Sequence, residues 1–246
     1  MFHFLAIAIV LFSSQSYAGR GWNSDSSQTC DFGRLNRVFA TNEVEPGIIH
    51  LVFKDQKTLN TTFMRFQEYY ESPKFKGRVL SRKKFKRWYR SEHDGYFTYY
   101  QDWVGFNIPD YALDPFLRGE FKKLTKTEKQ VLDVFRSRED NFYVIASVEG
   151  EKDVVAHEVS HGRFYLNEDY RHDVREAIRK HNTLNIQSWL LKAGYDDSVL
   201  PDEINAYVLN DLEELETNMN TVPLRALHVE LKRIEADYFK TDSEQK

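Results

Sequence analysis

The chain has 246 residues, a net charge of −4, one cysteine and an aromatic share of 15%. The aromatic share indicates a packed globular protein and excludes a disordered chain. Because Cys30 is the single cysteine, no internal disulfide can form, and the fold must be held by its core or with the help of a metal.

The first residues indicate export. An apolar run at residues 4–12 precedes the tripeptide SYA at 16–18, which is similar to a signal-peptidase cleavage site. We therefore predict that residues 1–18 are a signal peptide and that the mature protein is periplasmic or secreted. The run is too short to cross a bilayer, which takes about 20 residues, and no later segment comes close. Residues 19–34 are expected to form a flexible leader.

Local patterns predict both strands and helices. Short β-branched or aromatic runs predict strands at 47–53, 95–100, 103–109 and 141–148. Helical spacing of apolar residues predicts helices at 58–71 and 81–92, and Thr125 with Glu128 forms a capping-box pattern that opens a helix to about Arg138. From Asp153 onward nearly all of the chain is expected to be helical.

This order of elements predicts an α+β fold that is predominantly helical. Strands cluster before residue 150 and helices dominate after it, which argues against alternating β-α units. We predict a single domain over residues 35–240. Its first part, 35–150, mixes helices with a small sheet, and its second part, 151–240, is helical and carries the candidate site.

Residues 153–162, DVVAHEVSHG, place two histidines four positions apart with a glutamate directly after the first. On a helix, His157 and His161 share one face with Cβ atoms about 5–6 Å apart, so both rings can bind one zinc ion. Glu158 lies beside that face, where it can accept the proton of a zinc-activated water and pass it to a leaving amine. A polar helix can also produce this spacing by chance.

The same helix has a separate core side. Val155, Val159, Gly162 and Leu166 lie at helical intervals on the face away from the histidines. The glycine would let another element approach closely. We therefore expect one face of the helix to pack on the core and the other to carry the metal.

A catalytic zinc site takes a third protein ligand and leaves one position open. Phe164 and Asn167 stand where a metzincin has a glycine and a third histidine, so that pattern is absent. Lys180 and His181 occupy the region in which two other peptidase families have a glutamate ligand. The next candidate is Glu203, in a helix predicted from the apolar spacing of the segment LPDEINAYVLNDLEELE.

That segment resembles the second zinc helix of gluzincin-type metallopeptidases, in which a glutamate ligand is followed three positions later by an Ala-Tyr pair. With the HExxH motif, the resemblance implies a zincin-like fold, one Zn²⁺ per chain and Glu203 as the third ligand, with Ala206 leaving room for the histidine helix. Acidic residues also suit the first turn of any helix. Asp202 and Asp197 therefore remain reserve ligands.

Several neighbouring residues are candidates for supporting roles. Tyr165, Tyr207 or His172 could stabilise the negative charge that develops on the carbonyl oxygen during hydrolysis. Each also has a plainer explanation as an amphipathic residue whose polar tip is satisfied. Asn210 or Asp173 could accept the second N–H of a zinc-bound histidine.

Residues 74–90 interleave basic and aromatic side chains. With Phe85, Trp88 and Tyr89 on one face, the pattern predicts a helix with a solvated basic face. If this face binds a partner, an anionic lipid or a wall polymer suits an exported protein better than nucleic acid. We expect no nucleic-acid partner.

The leading hypothesis is an exported zinc-dependent metallopeptidase that hydrolyses protein or peptide substrates. His157, His161 and Glu203 would be its ligands, and Glu158 its general base and acid. Two alternatives stay open. One is a non-catalytic envelope or extracellular binding protein in which a metal only fixes the helices, and the other is a zinc amidase that acts on the cell wall.

Overall fold

The computed structural model describes residues 37–72 and 74–239. The predicted signal peptide, residues 1–18, and the predicted leader, 19–34, lie outside the described residues. The assignment of residues 35–240 to one domain stays a prediction.

Four strands form one mixed sheet in the order β1-β2-β4-β3. Their bounds are β1 Phe39–Glu45, β2 Ile48–Phe53, β3 Gly105–Pro109 and β4 Tyr143–Val148. β2 runs parallel to β4, whereas the pairs β1–β2 and β3–β4 are antiparallel. The strands predicted at 47–53, 103–109 and 141–148 are confirmed. Among the described strands, β1 and β3 are the two edges of the sheet.

Helices make up most of the remaining described structure. Their bounds are α1 Gln56–Glu71, α2 Arg82–Glu92, α3 Tyr99–Asp102, α4 Asp114–Leu117, α5 Lys126–Phe135, α6 Lys152–Leu166, α7 Glu168–Lys180, α8 Leu184–Ala193, α9 Leu200–Asn210, α10 Leu212–Leu215 and α11 Arg225–Tyr238. The predicted helices are confirmed, including the capping box that opens α5. The fold class is α+β, with the sheet before residue 150 and helices dominant after it.

One predicted strand is wrong, and one observed strand was not predicted. The strand predicted at 95–100 is wrong, because its last two residues begin α3 and Tyr99 packs into an aromatic cluster with Phe85 and Tyr89. Phe97, Tyr99 and Tyr100 therefore join one aromatic cluster, whereas Tyr96 is exposed. Strand β1 was not predicted, since it is an edge strand and several of its side chains are exposed and polar.

The sheet lies between α1 and α6. Apolar residues of α1 join the large core on one face, and Phe63 stacks on Phe106 of β3. On the other face, the predicted core side of α6, with Val155 and Val159, packs against Ile48. α6 can lie directly on the sheet because two glycines stand at the contact.

Those two glycines are Gly105 in β3 and Gly162 in α6. A Cβ at Gly105 would lie 2.4 Å from Cγ1 of Val154, and a Cβ at Gly162 would lie 2.7 Å from Cδ1 of Ile48. Real Cβ atoms are not found at such distances, so any larger residue would push the helix from the sheet. The close approach predicted at Gly162 is confirmed.

A second core holds the helices after α6 together. It is formed mainly by α7, α8, α9 and α11, and its buried members include Tyr170, Ile186, Ile204 and Leu227. Through this core α9 is fixed against α6. The packing brings residues near position 203 to those near 157, although they are distant in the chain.

Candidate metal centre

The two histidines of α6 are buried with their rings side by side. Nε2 of His157 lies 3.2 Å from Nε2 of His161. Two nitrogens bound to one tetrahedral zinc at about 2.0–2.1 Å are separated by about 3.3 Å. The pair therefore already has the spacing that a single zinc ion requires.

Each histidine ring is held from behind by a carboxylate. Nδ1 of His157 lies 2.5 Å from Oδ2 of Asp211, and Nδ1 of His161 lies 2.9 Å from Oδ1 of Asp202. At His157 the Asp211 carboxylate accepts the Nδ1–H, which leaves Nε2 of the neutral ring as an acceptor. At His161 the Asp202 carboxylate lies at ion-pair distance from Nδ1. A metal ion bound between the two Nε2 atoms would take a lone pair from each, so its binding would displace a proton from His161 if that ring is charged.

Glu203 completes the cluster from α9. Its Oε2 lies 4.0 Å from Nε2 of His161, and the ligand atoms of His157, His161 and Glu203 all lie within 4.8 Å of one another. This carboxylate is farther from the rings than the rings are from each other. Two nitrogens and one carboxylate oxygen with a fourth position open is a common donor set of a catalytic zinc site.

The electrostatics of the cluster favour a bound cation. Burial opposes a charge on His161, but the carboxylates of Asp202 and Glu203 outweigh it and raise the pKa of the imidazole well above its usual value. Burial also raises the pKa of Glu203 well above its usual range, and the neighbouring His161 opposes that rise. A proton or a metal ion can supply the positive charge that these groups share.

Strand β3 fixes the side chain of Glu158. Nδ2 of Asn107 donates to Oε2 of Glu158 at 2.6 Å, and the hydroxyl of Tyr143 donates to Oδ1 of Asn107 at 2.6 Å. Gly105 adds room on the other side, since a Cβ there would lie 3.0 Å from Oε1 of Glu158. The carboxylate is thus held beside the histidine face, and sequence reasoning missed both Asn107 and Tyr143.

A pocket of about 50 Å³ opens on the cluster. It is bounded by β3, by the histidine face of α6, by Tyr195 and by Gln67 and Glu71 in the last turns of α1. The volume suffices for a metal ion with a few waters, because one water needs about 10–15 Å³. Sequence reasoning missed the α1 wall, which no local motif signals.

The other predicted catalytic residues have different surroundings. Tyr207 packs its ring edge-on to His157 with centroids 4.8 Å apart, and its hydroxyl lies 3.3 Å from that of Tyr195. The hydroxyl of Tyr165 donates to Asp110. His172 is exposed on α7. Of these three candidates, Tyr207 is the one that contacts a histidine of the cluster within the described part of the chain.

The reserve ligands and the predicted outer partners do not belong to the cluster of three candidate ligands. Asp202 lies on the Nδ1 side of His161, behind the ring, and Asp197 is exposed in a short turn, so neither belongs to the cluster found among the described residues. Asn210 donates to Ser160 and to the carbonyl of Ala206.

Asp173 is likewise engaged elsewhere, because it accepts a hydrogen bond from Tyr238. The carboxylates that contact the histidines are therefore Asp211 and Asp202, and neither was predicted in that role. The signal was present in the sequence only as an acidic stretch after residue 193.

The basic segment 74–90 forms α2 and the loop before it. Phe85 and Tyr89 are buried and Trp88 is partly buried, as predicted, and most of the Lys and Arg side chains are exposed. No described helix combines the length and apolar composition that a bilayer crossing requires. Contact of this segment with an anionic surface stays a prediction.

The chain matched no protein-family model, no curated protein and no solved structure. A functional assignment therefore rests on the geometry described above.

Proposed function

We propose that the protein is an exported, zinc-dependent metallopeptidase with a zincin-like arrangement. His157, His161 and Glu203 would hold one Zn²⁺, and Glu158 would be the general base and acid. The observation that carries the proposal is the pair of Nε2 atoms 3.2 Å apart, with a carboxylate beside Nδ1 of each ring. A carboxylate ligand and a separate, oriented glutamate lie beside that pair.

A zinc ion in such a site lowers the pKa of a bound water and polarises a carbonyl. The chain's own residues supply the remaining functions. Asp211 and Asp202 keep the Nε2 lone pairs of the histidines directed at the site. Glu158, oriented by Asn107, accepts a proton from the attacking water and then donates it to the departing amine.

The position of β3 at the edge of the sheet, among the described strands, supports a peptide as the substrate. Among the described strands, β3 pairs only with β4, and Gly105 and Asn107 of β3 line the pocket. An extended peptide can add to such an edge through main-chain hydrogen bonds, which holds it alongside the metal. This favours an extended chain over a compact ligand.

The test compares Glu158→Gln with His157→Ala. Glu158→Gln should retain one zinc per chain and lose hydrolysis of casein and peptide mixtures by about 10²–10⁴-fold, the usual contribution of a general base. His157→Ala should lose both zinc and turnover. Glu168→Gln, an exposed residue of α7, is the matched control and should behave as wild type.

The alternatives give different results in the same experiment. In one outcome, the wild type binds one zinc and shows no Glu158-dependent hydrolysis of proteins, peptides or wall digests. That result would identify a metal-stabilised binding protein. Glu158-dependent release of products from wall digests without cleavage of casein or peptides would identify an amidase.

A further inference from the structure

Helix α1 gives the pocket a second polar wall. Gln67 and Glu71 lie one helical turn apart and both line the pocket that also contains His161 and Glu203. Neither residue has a part in the chemistry proposed for Glu158. Their polar groups therefore need a different explanation.

The amide of Gln67 has a defined orientation and an unused acceptor. Its Nε2 donates to Oε2 of Glu71 at 2.8 Å. In this orientation the NH₂ group faces Glu71 and Oε1 is directed elsewhere. Gln67 is only 6% exposed, and its Oε1 is buried with no hydrogen-bond partner in the described residues. A ligand that donates a hydrogen bond would satisfy it.

The Glu71 carboxylate lies near both positive and negative groups. Its carboxylate accepts from Gln67, and no Lys or Arg forms an ion pair with it within residues 37–72 and 74–239. Burial raises the pKa of Glu71 to about 7; His161 and Lys76 oppose this rise, and Glu158 and Asp202 add to it. A positive group placed in the pocket would stabilise the ionised carboxylate.

We propose that Gln67 and Glu71 bind a cationic N–H group of the substrate, an ammonium or a guanidinium, beside the bond that is cut. The inference rests on the peptidase function proposed above. Such a group donates one hydrogen bond to Oε1 of Gln67 and another to the Glu71 carboxylate, so it supplies the missing donor and the missing charge together. A peptide offers this chemistry at its free α-amino group and at the side chains of Lys and Arg.

Two pairs of peptides distinguish these sources. The first pair differs in a free or acetylated N-terminus, and the second differs in Lys or norleucine next to the cleaved bond. For zinc-loaded wild type, the charged member of one pair should have a kcat/KM about 10–100-fold higher, mainly through KM, the usual effect of a hydrogen bond to a charged group. The pair that shows this preference identifies the source.

The matched variant is Glu71→Gln, which removes the charge and keeps the shape. It should abolish the preference, so that the charged and the neutral peptide of the pair have equal kcat/KM, whereas Glu168→Gln should keep the preference. Gln67→Met should reduce the preference by a smaller factor. Equal rates within both pairs, or a preference that survives Glu71→Gln, would overturn the inference.

A binding measurement separates this inference from the peptidase proposal. Calorimetry on zinc-loaded Glu158→Gln measures affinity for the same peptides without turnover. Tighter binding of the charged member, lost in the double variant with Glu71→Gln, would support the subsite even if wild type cleaves nothing. Cleavage by wild type without any charge preference would reject the subsite alone. A second zinc per chain that disappears in Glu71→Gln would also reject it.

Discussion

Asp211 provides a specific test of how the histidines are held. Asp211→Asn keeps an oxygen near Nδ1 of His157 but removes the negative charge that now lies 2.5 Å from it. Loss of such an outer partner weakens metal binding by about 10–100-fold, or about 1.4–2.7 kcal/mol. The Asp211 side chain is 13% exposed, so water screens the charge little and we expect the upper part of that range.

The assay is a zinc titration in competition with a chromophoric chelator at fixed pH and ionic strength. Asp202→Asn should have a smaller effect, because the Asp202 side chain is more exposed, at 22%. Asp197→Asn removes the same charge from an exposed turn and should change the affinity less than twofold. Wild-type affinity in Asp211→Asn, or an equal loss in Asp197→Asn, would refute the argument that the contact at Nδ1 matters.

Three further predictions concern stability and are measured by denaturant unfolding of the metal-free protein. Arg65→Met should lower the free energy of unfolding by about 3–5 kcal/mol, because it leaves the buried carboxylate of Glu128 without its bidentate partner. Adding Glu128→Gln should recover most of the loss. A loss below about 1 kcal/mol in Arg65→Met would contradict this prediction. Gly162→Ala should lower the free energy of unfolding by about 1–3 kcal/mol, because the new Cβ clashes with Cδ1 of Ile48. Adding Ile48→Val should recover part of this loss. An unchanged denaturant midpoint in Gly162→Ala would rule out the clash. Burial raises the pKa of Glu68 from 4.5 to about 7. The wild type should therefore lose stability as the pH rises from about 4.5 to about 7, and Glu68→Gln should remove about 3 kcal/mol of that loss. Equal pH profiles of stability for the two proteins would contradict the raised pKa.

Local signals in the sequence were sufficient for the elements that carry the cluster. Helical periodicity predicts that His157 and His161 share one face of α6. It also predicts the apolar face on the other side of the same helix. The apolar face also predicted how α6 lies on the sheet, because Gly162 and its neighbours pack there. The structure brings Glu203 to these histidines, which periodicity alone does not specify.

Features that depend on long-range packing could not be predicted. Asn107 reaches Glu158 only because β3 is an edge strand under α6, and Glu71 lines the pocket only because α1 covers the opposite face of the sheet. Asp211 follows the last residue of α9, so its contact with His157 depends on how α9 crosses α6. The strand predicted at 95–100 failed for a related reason, since Tyr99 is buried against Phe85 and Tyr89 of α2.

The most direct test of the central claim is anomalous diffraction at the zinc absorption edge from a crystal of the zinc-loaded protein. The account predicts one peak per chain, about 2.0–2.2 Å from Nε2 of His157, Nε2 of His161 and a carboxylate oxygen of Glu203. A peak bound to other side chains, or a zinc that Glu203 does not contact, would contradict it.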